Sequence, residues 1–203
     1  MDMGPGYALS ARRNAPQAVI CIDPYHVVQL ANRALDEVRR SYWNQLRDTD
    51  KLGDAKRFKD ARWALLKNPA DHTDTQAATL RKLRNAGGDV WRAYTLKEAL
   101  RGIFARGLSV EDVTVLLERF CSRAARSRMP AFVRLGKTIR KHTTGILAAI
   151  RTRINNARVE ALNNRARLIT RRAYGFHSPE AALALIHLTC GPITLTLPHE
   201  KHA

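Results

Sequence analysis

Between Arg119 and Pro179 the chain has a single carboxylate, Glu160, set among fifteen lysines and arginines. That shortage rules out a locally balanced, salt-bridged surface. Cysteine is also scarce. Cys21, Cys121 and Cys190 are far apart and form no C-x-x-C pair, so neither a disulfide framework nor a zinc site is indicated. A reduced, intracellular compartment fits. No apolar run reaches the roughly 18 residues that a membrane helix needs. The opening Met-Asp-Met-Gly-Pro-Gly has neither the charged start nor the apolar centre of a signal peptide.

What is present is apolar matter and positive charge. Of 203 residues, 45% are apolar, enough for a core, and the net charge is +17. Residues 1–118 are nearly balanced, with nineteen basic and fifteen acidic side chains, so the excess lies in the second half. A one-sided field of this kind destabilises a compact chain by self-repulsion unless a polyanion neutralises it, which points to nucleic acid.

Val19-Ile20-Cys21-Ile22 is a short β-branched run ending at Asp23-Pro24. It predicts a buried parallel strand with a carboxylate at its C-terminal end, where open α/β sheets gather catalytic groups. A short helix over 7–14 precedes it. From His26 the pattern is helical. A helix is expected to about Leu46, with further pieces near 55–67, 73–85 and 89–106. Ser109-Val-Glu-Asp112 is a capping box for a helix to about Ser127. Pro130 suits the first turn of a long helix to about Arg153. Trp43, Trp63 and Trp91 sit at helical spacing among apolar neighbours and are assigned to the core.

After Asn155 and Asn156, either of which could cap it, another helix shows an apolar stripe of Val159, Leu162, Ala166, Ile169 and Ala173. Glu160, Asn164, Arg167 and Arg171 share its flank. Gly175 ends this helix, Ser178-Pro179-Glu180 opens an apolar one to about Leu188, and residues 193–197 could form a strand or stay disordered.

Several stretches carry a family resemblance. They are Asp2-Met-Gly-Pro-Gly-Tyr7, Asp23-Pro-Tyr-His26, Asn32-Arg-Ala-Leu35, Asn156-Ala-Arg-Val-Glu160-Ala-Leu-Asn163 and Ile169-Thr-Arg-Arg172-Ala-Tyr-Gly175. Together they resemble the second half of DDE transposases of the ISL-three group of bacterial insertion sequences. The resemblance implies an α-rich α/β fold, a truncated ribonuclease-H-like catalytic domain with a large all-helical insertion. Its divisions would be a partial core at 1–26, the insertion at 27–150, closing helices at 151–190 and a tail at 191–203.

In such enzymes carboxylates bind two Mg²⁺ ions, hard cations that stabilise the attacking and leaving oxygens of phosphodiester displacement. Carried over, Asp2 resembles the second acid and Glu160 the third, both metal ligands, and Asp23 and His26 resemble a D-x-x-H element. Arg151, Arg153, Arg158, Asn163, Arg165, Arg167, Arg171 and Arg172 are the candidate DNA contacts. The first acid belongs on an earlier strand, and only Met1 precedes Asp2. The expectation is therefore a C-terminal fragment, inactive alone but DNA-binding. An alternative alignment makes Asp2, Asp23 and Glu160 the whole triad. The resemblance implies a bacterial cytoplasmic protein acting at the nucleoid on insertion-sequence ends and target DNA, and leaves homo-oligomer formation open. The rival reading is a non-catalytic, basic, helical nucleic-acid-binding protein.

Overall fold

A computed structural model describes residues 3, 5–49, 53, 55, 58, 61–105, 107–153 and 157–191. The chain divides into two compact units, residues 1–154 and 155–203. Among the described residues there are helices and connecting segments but no β-strand.

The expected α/β, ribonuclease-H-like sheet is thus overturned, and the architecture described is all-helical. The segment expected to be a strand shows why. A strand is stable only when a neighbour completes its hydrogen-bond ladder, and no described segment offers one. Residues 18–22 instead run over a helix. Ile22 is 3% exposed and Val19 is 71% exposed. The Ile22 N–H donates to the carbonyl of Gly145, 2.9 Å away. A Cβ at Gly145 would stand 3.0 Å from the Ile22 side chain and 3.1 Å from the Ile20 carbonyl, so glycine permits the approach.

In the first unit, α1 spans Pro5–Asn14 and α2 spans Pro24–Asp48. Helix α2 starts where Asp23 supplies its N-cap and Pro24 its preset first turn. Its buried stripe is Val27, Ala31, Ala34, Leu35 and Arg39. A short α3, Ala61–Leu66, is followed by α4, Asp74–Ala86, which opens with a Thr73–Gln76 capping box.

Helix α5, Gly88–Phe104, buries Val90, Ala93, Leu96, Leu100 and Ile103 among others, and beyond its first two residues only Arg92 is exposed. Such a helix must be central. Helix α6, Val110–Ala125, is capped by Ser109 as expected and turns Val113, Leu117, Phe120 and Cys121 inward. Helix α7, Pro130–Thr152, contributes Phe132, Leu135, Ile139 and Ile146.

Helices α2, α5, α6 and α7 pack in a closed ring, α2 on α5, α5 on α6, α6 on α7 and α7 on α2. Their apolar stripes form one core. Gly136 lets α6 and α7 come close, since a Cβ there would lie 3.2 Å from the Ala124 Cβ. Trp43 and Trp91 pack against this core, but Trp63 is 63% exposed beneath the Arg62 guanidinium. Its assignment to the core is corrected: Ala61, Ala64 and Leu65 occupy the inner face of α3 and leave Trp63 on its outer side.

The second unit is described by a helix pair, α8, Ala157–Arg172, and α9, Pro179–Cys190, packed on each other. The Ser178 side chain caps α9 through the Ala181 N–H. Asn155, Asn156 and the tail at 192–203 lie outside the described residues.

Candidate nucleic-acid interface and carboxylate positions

Asp2 lies outside the described residues. Asp23 and His26 are held together by the first turn of α2. The Asp23 carboxylate accepts the Tyr25 N–H at 2.8 Å, and the His26 N–H donates to the Asp23 carbonyl at 3.0 Å. Asp23 therefore acts as a helix cap, satisfying a donor the helix cannot pair internally. His26 is half-buried with its ring edge-on to Tyr25, 5.8 Å between centroids, and its Nε2 is buried without a hydrogen-bond partner among the described residues. Glu160 belongs to the second unit, in the first turn of α8, where its side chain is exposed. A carboxylate there suits the positive end of the helix dipole.

Among the described residues no three His, Cys, Asp or Glu side chains gather to hold a metal. Mg²⁺ takes near-octahedral oxygen ligation, usually with one or two carboxylates and substrate phosphates. Within each unit the described carboxylates are placed singly: the Asp23 carboxylate caps α2 in the first, and Glu160 is the one carboxylate of α8 in the second.

The basic candidates fall into two groups. Arg151 and Arg153 are exposed at the end of α7, where Arg153 caps the helix in the left-handed conformation, φ +54°. Along α8, Asn163, Arg165, Arg167, Arg171 and Arg172 are all exposed, and the side chain of Arg158 lies outside the described set. Helical spacing places Glu160, Asn164, Arg167 and Arg171 along one edge. Arg167 donates to the Asn164 side-chain oxygen at 3.3 Å, which steadies that edge. The stripe through Ala166, Ile169 and Ala173 is half-buried, as a helix paired on one side should be.

The chain matches the model of a DDE transposase family of ISL3 type over residues 1–186. It belongs to this family of insertion-sequence transposases. The transposase for insertion sequence element IS1557 of Mycobacterium tuberculosis is 39% identical to it, covering 90% of this chain and 45% of that protein. The same figures hold for that element's transposase in the H37Rv strain. The transposase for insertion sequence element IS1001 of Bordetella parapertussis is 31% identical over 89% of this chain and 44% of its own length. The chain thus spans a little under half the length of the curated relatives it matches. No solved structure matches it. No helix among the described residues is long and apolar enough to cross a membrane.

One cluster in the first unit of this transposase-family chain escaped the sequence reading. Arg92 on α5 and Arg123 and Arg126 at the end of α6 line one small cleft. No spacing rule connects residues on separate helices. The only signal available was the arginine density that begins at Arg119.

Proposed function

We propose that this chain is the DNA-holding part of a DDE transposase and engages phosphates through the basic edge of α8. The observation that carries this is the exposure of Arg165, Arg167, Arg171 and Arg172 on a helix with Glu160 as its one carboxylate. Guanidinium groups suit phosphate oxygens because their planar fork donates two parallel hydrogen bonds. Contacts of this kind position DNA and carry little sequence information. In this reading Arg151 and Arg153 at the end of α7, and Arg158 and Asn163 on α8, are further DNA contacts, and the DNA is that of insertion-sequence ends and target.

Glu160 is the carboxylate the family resemblance assigns to magnesium, with Asp2 as its partner and Asp23 and His26 beside them. The exposed arginines of α8 serve equally a second reading, a non-catalytic nucleic-acid-binding role for the chain alone.

A random-sequence duplex titrated by fluorescence anisotropy at several salt concentrations tests the first reading. Affinity should fall by about 0.9 log units per log unit of salt for each phosphate neutralised. Arg167→Ala/Arg171→Ala should weaken binding and reduce that slope by about one per arginine. Affinity indifferent to salt would sink both readings. Glu160→Gln separates them: binding unaffected by Mg²⁺ and by this change supports the non-catalytic role, and Mg²⁺-dependent nicking lost on the change supports the catalytic one.

A further inference from the structure

The cleft at the corner between α6 and α7 is built from three arginines and a fixed backbone. Arg92 reaches across from α5, donating Nη2 to the Ser127 carbonyl at 2.7 Å and Nη1 to the Asp89 carboxylate at 2.8 Å. Arg126 is tied by its Nε to the Ser122 carbonyl at 3.2 Å, a bond that leaves the terminal fork uninvolved. Arg123 joins from the last turn of α6, and the cleft, about 240 Å³, is completed by Thr95, Leu96, Ser127 and Met129.

Its floor is rigid. Ser127 is buried, its hydroxyl donates to the Ala124 carbonyl at 2.7 Å and accepts the Met129 N–H at 3.2 Å. Two of the three guanidiniums are thereby oriented before any ligand arrives, which lowers the entropy lost on binding.

The charge balance favours an anion. Asp89 is the one carboxylate among the described residues that ion-pairs with this cluster, and it faces Arg92 alone. Arg123 and Arg126 thus keep their charge without a carboxylate partner among the described residues. All three arginines are exposed at the rim. A buried pocket would select a small free anion, whereas an open basic rim admits a phosphate that remains part of a polymer.

We infer that this cleft seats a backbone phosphate of DNA, a second contact surface in the first unit, separate from the edge of α8. The inference rests on the DNA-holding reading above and adds a site to it. A duplex then meets arginines at two places on the chain, and each should contribute its own share of the salt dependence.

The test compares the full chain with Arg123→Ala/Arg126→Ala and with Arg81→Ala/Arg84→Ala, a charge-matched pair on the exposed face of α4. Anisotropy with a random duplex is read across a salt series, and thermal melts confirm folding. The cleft pair should weaken binding by roughly tenfold or more and flatten the salt slope by about two, with a clearly smaller effect from the α4 pair. Arg123→Lys/Arg126→Lys keeps the charge, loses the fork and should recover binding only in part.

Equal losses from the cleft and α4 pairs would overturn the cleft and leave the DNA-holding reading standing, as would full recovery with lysine. A wild-type chain that fails to bind DNA would overturn both. Calorimetry with inorganic phosphate distinguishes the remaining source. Phosphate binding abolished by the cleft pair, with DNA affinity unchanged, would make this a free-anion site and sink the proposal.

Discussion

In the first unit, α2, α5, α6 and α7 close around Leu35, Leu100, Leu117, Phe132 and Ile139, all almost fully buried. In α8 and α9 no described residue is buried, and Leu162, Leu168, Leu183, Leu185 and Leu188 are exposed. The first region is held by apolar area removed from water, at about 25 cal/mol for each Å². The second is a helix pair whose individual turns are supported by caps and by one shared stripe. The contrast explains why charge could accumulate on α8. A helix with little buried surface tolerates a row of arginines, since no desolvation is required of them.

Substitutions in both regions break or sharpen this comparison. Phe132→Ala should have the largest effect, about 3–5 kcal/mol of lost stability, because it opens a cavity where the ring is fully buried. Leu183→Ala in α9, where the side chain is 56% exposed, should cost less than about 1 kcal/mol. Urea unfolding of both variants provides the measurement. Equal effects would mean that the second region carries a core of its own.

Lys97 is next. It is 1% exposed in α5, paired with Glu98 and placed over the Tyr94 ring at 4.8 Å. Glu98 also pairs with Arg101 at 2.7 Å, so removing the lysine leaves no orphaned carboxylate. Lys97→Met should therefore be neutral or stabilising, by about 1–3 kcal/mol.

Burial pushes the Lys97 amine below its ordinary 10.5, so between the folded and unfolded values the unfolded chain binds more protons. Stability should rise with pH through that window up to about 10.5, and the rise should vanish in Lys97→Met. Tyr94 has the opposite sign. Burial and the charge of Glu98 push it up to about 12, so stability falls between 10 and 12 as the unfolded phenol ionises first. Thermal melts across this range, wild type against variant, check both signs.

Asp23→Ala should cost about 1 kcal/mol through loss of the α2 cap, with Asp23→Asn close to neutral. Rescue of stability by Asn together with loss of any Mg²⁺ response would separate capping from metal binding at this residue. The smallest effect belongs to Arg167→Ala/Arg171→Ala. Both side chains are exposed, so stability should stay within about 0.5 kcal/mol while DNA affinity falls.

Much of the helical layout follows from local chemistry that needs no tertiary context. Ser109, Pro130 and Ser178 start helices where expected because a hydroxyl or a preset φ satisfies the first turn on its own. The stripe on α8 and the lone Glu160 among arginines are equally properties of the linear chain, as are the motifs that mark the transposase family.

Other features depended on what lies far away in sequence. Val19–Ile22 has the composition of a strand, yet strand formation is a property of a pair, and the segment settles on α7 at Gly145 instead. Trp63 looked like core until α3 turned its alanines inward. Nothing in the sequence singles out Lys97, and its burial comes from the packing of the helix ring. The meeting of Arg92 with Arg123 and Arg126 has the same origin. Propensity, capping and charge act over a few residues and can be read from the chain. Burial and convergence are sums over neighbours brought together by packing, and only the tertiary structure decides them.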